Sequence, residues 1–144
     1  MKVINNFHGE HGFLSNFCPA EVVLDGVKYP SVEHAYQAAK TLNTTERKQF
    51  ENGTPGNAKR QGRSVTLRPN WKYVKIYIME RLLRQKFSQP PLRRLLLATG
   101  DDTLVEGNNW GDTYWGVCRG TGDNHLGKLL MKIRYELKQE NYHG

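Results

Sequence analysis

The chain has 144 residues, 38% of them apolar and 10% aromatic, and a formal net charge of +7. This composition excludes intrinsic disorder and supplies enough apolar surface for one core, so residues 1–144 are expected to form a single domain. No apolar run approaches the roughly 18 residues of a membrane span, and Met1–Phe7 lacks the apolar stretch of a signal peptide, so no membrane contact and a cytoplasmic location are expected.

In chain order, Lys2–Asn5 and Glu21–Leu24 read as short strands. Asp25-Gly26 between Val22-Val-Leu24 and Val27-Lys-Tyr29 is a hairpin signal, because both turn positions need positive φ. Ser31 is the N-cap of a helix running to about Leu42, and a short helix follows from Thr44 or Thr45 to Phe50. Asn52–Gly56 is a break, and Asn57–Gly62 a further helical turn or two. The longest helix is expected from Pro69 to Phe87, with Val74, Ile78, Leu82 and Ile76, Met79, Leu83 as two apolar stripes. Leu92–Ala98 forms another helix, Thr103–Glu106 and Thr113–Trp115 are strand candidates, and Asn124 caps a final helix ending near Gln139. The expected class is α+β: mainly helical, with a small antiparallel β component.

Charge is unevenly placed. Residues 53–100 hold eleven Lys and Arg against Glu80 alone, so +10 resides there and −3 elsewhere. Such a stretch suits a polyanion (phosphate, diphosphate or nucleic acid) or simply a solvated helix surface. Cys18 and Cys118 have neither C-x-x-C pairing nor regular spacing and read as two buried thiols in a reducing compartment.

Glu33, Gln37 and Lys40 share one helical stripe, and a first-turn glutamate is favoured by the helix dipole. Spacing alone favours an ordinary glutamate on a solvated face. Gly122-x-x-x-x-Gly127-Lys128 imitates a P-loop, but Leu129 stands where that motif needs Ser or Thr for magnesium, so NTPase chemistry is rejected. The loop Gly120–Asn124 at a helix start still suits a phosphate, with a plain tight turn as the alternative. Phe13, Phe17, Trp71, Trp110 and Trp115 lie beside small polar residues, a setting that suits stacking on a base as well as ordinary packing. His8-x-x-His11 lacks partner ligands, and no metal or organic cofactor is expected. No local signature assembles a Ser-His-Asp or Cys-His triad.

Four segments together resemble the NADAR domain family: Phe13-Leu-Ser-Asn-Phe17, Tyr29-Pro-Ser-Val-Glu-His-Ala-Tyr-Gln-Ala-Ala-Lys40, Asn57-Ala-Lys-Arg-Gln-Gly-Arg63, and Leu104-Val-Glu-Gly-Asn108 followed by Tyr114-Trp-Gly116. Gly122–Met131 also fits, and the match runs in order over nearly the whole chain. The resemblance implies an N-glycosidase hydrolysing the C1′–N bond of a ribosylated base. The base is either ADP-ribosyl-guanine in nucleic acid, which the basic charge favours, or a phosphoribosylamino-pyrimidine intermediate of riboflavin synthesis. By the same resemblance Glu33 matches the catalytic glutamate, Trp71 and Trp115 the site tryptophans, and Lys59 and Arg63 the basic pair. Family members often carry Pro near position 57, where this chain has Pro55-Gly-Asn57, so that loop is expected to differ in shape.

N-glycoside cleavage builds positive charge on the ribose, and glycosidases answer it with carboxylates. Glu33 is the expected charge-stabilising and water-orienting residue, with Asp112 as the candidate second carboxylate. Asn16, Phe17, Trp71 and Trp115 would contact base or sugar. Lys59, Arg63 and the loop of Gly120, Gly122 and Asn124 would hold phosphate. The rivals are a non-catalytic module that binds ADP-ribose or nucleic acid, and a basic DNA-binding scaffold. A carboxylate at the ligand favours the enzyme, since an anion binder gains nothing from it.

Overall fold

The structure is a computed structural model that describes residues 2–143, without the side chains of Tyr142 and His143. In chain order the elements are β1 (Val3–Ile4), a 3-10 helix (Gly9–Leu14), β2 (Pro19–Leu24), β3 (Val27–Ser31), α1 (Val32–Ala39), α2 (Thr44–Lys48), α3 (Pro55–Gln61), α4 (Trp71–Ser88), α5 (Pro90–Ala98), β4 (Thr103–Leu104), β5 (Gly107–Asn108), β6 (Val117–Cys118) and α6 (His125–His143). Helices dominate and the sheets are small, so the class is α+β as expected. The chain divides into two compact units, Asn16–Lys86 and Met1–Ser15 with Phe87–Gly144.

In the unit Asn16–Lys86, β2 and β3 form an antiparallel hairpin in which Leu24 pairs with Val27. Asp25 and Gly26 both adopt positive φ, 49° and 82°, which is the turn that an Asp-Gly pair favours. β3 runs directly into α1, where the Ser31 side chain accepts from the His34 N–H. All eight residues of α1 are buried. The helix ends at Ala39 rather than near Leu42, because Arg68 N–H donates to the Lys40 carbonyl at 2.7 Å and ties the chain down there. α3 begins at Pro55, earlier than expected: Thr54 caps it by accepting from Asn57 N–H, and Pro55 suits a first-turn position. Along α4, Met79, Leu82 and Leu83 are buried while Tyr73 and Tyr77 are exposed.

In the other unit, β1 pairs with β4 and β5 with β6, two residues each and both parallel. Among the described residues, only the β2–β3 hairpin is the antiparallel sheet that the sequence suggests. Thr113–Trp115 is not a strand; its carbonyls accept from the amides of residues 123, 125 and 126, so the segment serves a loop-to-helix contact instead of a sheet. α5 takes Pro90 and Pro91 into its first turn, where their missing N–H groups cost nothing. α6 extends beyond Gln139. Both cysteines are free thiols, with Cys118 buried and Cys18 half-buried.

Candidate active site

Glu33 is positioned from both sides along the chain. Its own N–H donates to the Asn16 carbonyl at 3.1 Å. Next to it, His34 is locked: Nε2 lies 3.0 Å from the Gly53 carbonyl and Nδ1 2.7 Å from Ser31 Oγ. A carbonyl can only accept, so Nε2 carries the proton and Nδ1 takes the Ser31 hydroxyl hydrogen. Cap, histidine and loop therefore hold the first turn of α1 rigidly.

The stripe of Glu33, Gln37 and Lys40 is not the solvated face that spacing alone favours. Glu33 is 7% exposed and Gln37 5%, and Gln37 Nε2 donates to Glu33 Oε2 at 2.6 Å. Burial lowers the pKa of Lys40; the Glu33 carboxylate opposes that shift, while Arg63, Lys75 and Lys59 add to it by repulsion. One carboxylate and four cations thus share an electrostatic neighbourhood, drawn from α1, α3, the residue after its C-cap, and α4. Lys40 Nζ also stands 5.9 Å from the centroid of the Tyr36 ring. Tyr36 in turn packs on Trp71 at 5.1 Å between centroids, tilted by 53°. Trp71 is 8% exposed, so it forms a wall of this region rather than an open platform.

Asn16 and Phe17, both expected near the ligand, differ. Phe17 is exposed, whereas Asn16 is buried and its Oδ1 has no hydrogen-bond partner among the described residues. Gln37 Oε1 is in the same condition. A buried acceptor left without a donor is uncommon.

Asp112, Trp115, Gly120, Gly122 and Asn124 belong to the other unit. Asp112 Oδ1 accepts from the N–H groups of Tyr114 and Trp115 at 3.1 and 2.9 Å, a turn-forming role. Asn108 braces the same turn, accepting from Asp112 N–H and donating to the Asp112 carbonyl. Trp115 meets Tyr114 edge-on at 4.9 Å, and Tyr114 stacks on His125 at 4.5 Å. Asn124, with φ 54°, spends its side chain across the loop, accepting from Glu106 N–H and donating to the Leu104 carbonyl. The amides of Asp123, Asn124, His125 and Leu126 donate to the carbonyls of Thr113, Gly116, Tyr114 and Trp115. The start of α6 therefore offers an anion none of these amides. Gly122 adopts φ +152° and closes on the Gly116 carbonyl. Gly120 sits with Arg119 in a two-residue turn between Cys118 and Thr121, at the rim of a shallow depression shared with Trp110 and His8.

Sequence reasoning placed Gln37 and Lys40 beside Glu33 but could not tell that Gln37 is buried and Lys40 half-buried, and it gave Tyr36, Gly62 and Lys75 no role. Nothing in the sequence alone marked Gly62; the structure gives it φ −61°, an angle with no conformational need for glycine. A Cβ there would lie 1.8 Å from Gln37 Oε1. Among the described residues no three His, Cys, Asp or Glu side chains are grouped to hold a metal ion, and no helix is long and apolar enough to cross a membrane.

Comparison with known proteins gives one consistent answer. The profile of the NADAR domain matches residues 4–138. The chain is 41% identical to N-glycosidase YbiA of Escherichia coli (strain K12), covering 95% of this chain and 90% of that protein. It is 37% identical to N-glycosidase Npun_R5314 of Nostoc punctiforme, covering 89% and 86%. It is also 37% identical to Riboflavin biosynthesis protein VVA0006 of Vibrio vulnificus, over 90% of this chain and 36% of that longer protein. An NMR structure of the E. coli protein YbiA superposes with a TM-score of 0.86 at 40% identity, covering 100% of this chain and 90% of that one. The chain belongs to the NADAR domain family. Its activity is that of a hydrolase acting on N-glycosyl compounds, an N-glycosidase.

Proposed function

We propose that the substrate is a phosphoribosylamino-pyrimidine, cleaved at its C1′–N bond with Glu33 as the catalytic carboxylate. The observation that carries this reading is the group of Lys40, Lys59, Arg63 and Lys75 acting together beside the buried Glu33. Part of the basic excess of residues 53–100 is thereby felt at Lys40, near Glu33, which suits a phosphate group. Riboflavin biosynthesis proteins among the relatives add support. As the C1′–N bond breaks, positive charge on the ribose ring is met by Glu33, which also orients or deprotonates the attacking water. The proton goes to the departing base nitrogen, and the oxygen of water becomes the new C1′ hydroxyl. The cations hold the phosphate and keep the sugar from drifting off the carboxylate.

A second reading, ADP-ribosyl-guanine in nucleic acid, is favoured by one feature. Tyr73 and Tyr77 are 69% and 71% exposed on α4, and Lys72, Arg81 and Arg84 are exposed on the same helix. Exposed aromatic rings between cations suit a single strand. Turnover of both substrates on one preparation decides. Release of ribose 5-phosphate from the pyrimidine, at a rate at least tenfold above release of ADP-ribose from modified DNA, is the expected result; the opposite ratio replaces the first reading by the second. Turnover of neither would show that the N-glycosidase acts on another N-glycosyl compound.

A further inference from the structure

α3 supplies Lys59, and Arg63 follows directly after its C-cap residue, Gly62. Gly62 has ordinary helical angles, φ −61° and ψ −17°, so its lack of a side chain answers a need for space and not for a left-handed backbone. A Cβ at this position would fall 1.8 Å from Gln37 Oε1 and 2.7 Å from Gln37 Cδ. The end of α3 therefore lies directly against the Gln37 amide and confines it. On its other side that amide donates to Glu33 Oε2 at 2.6 Å. Since a carboxylate only accepts, the contact fixes which way the amide faces and turns Oε1 toward Gly62. Gln37 Oε1 has no hydrogen-bond donor among the described residues. The amide is thus held by the carboxylate on one side and by close packing on the other.

We propose that Gln37 is a positioning residue for the N-glycosidase reaction: clamped by Gly62, it fixes the carboxylate of Glu33 in one orientation. This inference rests on the reading of Glu33 as the catalytic carboxylate. It gives the glycine between Lys59 and Arg63 a purpose, because the segment that brings the cations also sets the carboxylate. A longer side chain at position 62 would push the Gln37 amide away from Glu33. Removal of the amide would take this hold off the Glu33 carboxylate.

Three variants of the full chain test it, assayed by release of ribose 5-phosphate from the phosphoribosylamino-pyrimidine and by NMR titration of the Glu33 carboxyl carbon in the free protein. Gln37→Met keeps the volume and loses the donor; kcat is expected to fall about 10- to 100-fold with KM changed less than about threefold. Gln37→Glu places a second carboxyl against the first, and the acid limb of the pH–rate profile is expected to move up by about one unit or more. Gly62→Ala is expected to lower kcat as Gln37→Met does, and the double variant to lose no more than either alone. The Glu33 carboxyl titration is expected to shift upward in Gln37→Met, a readout that needs no substrate and that mere loss of packing, by admitting water, would move the other way. Wild-type kcat and an unmoved Glu33 titration in Gln37→Met overturn the proposal, as does full additivity of the Gly62 and Gln37 losses. Should Gln37→Met not fold, the pH profile of Gln37→Glu decides. Wild-type activity in Glu33→Gln would instead overturn the reading of Glu33, whereas an inactive Glu33→Gln beside a fully active Gln37→Met defeats the positioning role alone.

Discussion

Two carboxylates stand out, one in each compact unit, and they are used differently. Asp112 turns its Oδ1 onto the backbone amides of Tyr114 and Trp115, and the chain around it is braced by Asn108. Glu33 lies buried on α1, takes a side-chain donor from Gln37, and shares its surroundings with Lys40, Lys59, Arg63 and Lys75. An acid that organises backbone shapes a loop. An acid buried beside cations, and held by another side chain, is the kind that the proposed chemistry needs. Glycines mark the same contrast. Gly116 leaves room for Glu106, whose carbonyl would lie 2.1 Å from an added Cβ, whereas Gly62 leaves room for a side chain that touches Glu33.

The largest test breaks the comparison directly. Glu33→Gln is expected to lower kcat on the order of 10²–10³-fold with folding intact, while Asp112→Asn, which keeps an acceptor at Oδ1, stays within about twofold of wild type. Equal losses in the two steady-state assays would erase the distinction. Next comes Lys86, fully buried in the unit of Glu33, whose pKa burial lowers to about 8 although Cys18 pulls it back up. Below that pH both folded and unfolded chains are charged here and the burial penalty stands in full. Between about 8 and 10.5 the unfolded chain holds a proton that the folded one has released, so stability rises with pH. The stability of Lys86→Met relative to wild type is accordingly expected to decline by on the order of 3 kcal/mol across that window in urea titrations; a flat difference would show that Lys86 does not titrate there. Gly116→Ala, which needs backbone to move, is expected to cost about 2 kcal/mol by thermal unfolding. Smallest, Asp112→Ala is expected to cost about 1 kcal/mol, and its activity at a temperature where it remains folded tells whether the turn matters to catalysis.

Much of the fold was legible locally. The Asp25-Gly26 turn, the Ser31 cap and the long α4 follow from short-range rules, because caps and turns depend on a few neighbouring residues. The parallel β pairings were not legible. β1 with β4 and β5 with β6 are two-residue parallel contacts, and nothing in a pair of residues announces such a partner. The expected strand at Thr113–Trp115 failed for a related reason, since its carbonyls are claimed by amides at the start of α6.

By itself the sequence determined the helices, the hairpin, the concentration of cations in residues 53–100 and, through family resemblance, the place of Glu33. Tertiary structure decided what that glutamate experiences. Periodicity states which residues share a face of a helix, but not what covers the face, since burial depends on contacts between distant segments. Only the packing of α3 against α1 shows Glu33 and Gln37 out of water, Lys59 and Arg63 drawn toward Lys40, and Gly62 closed on the amide that holds the carboxylate.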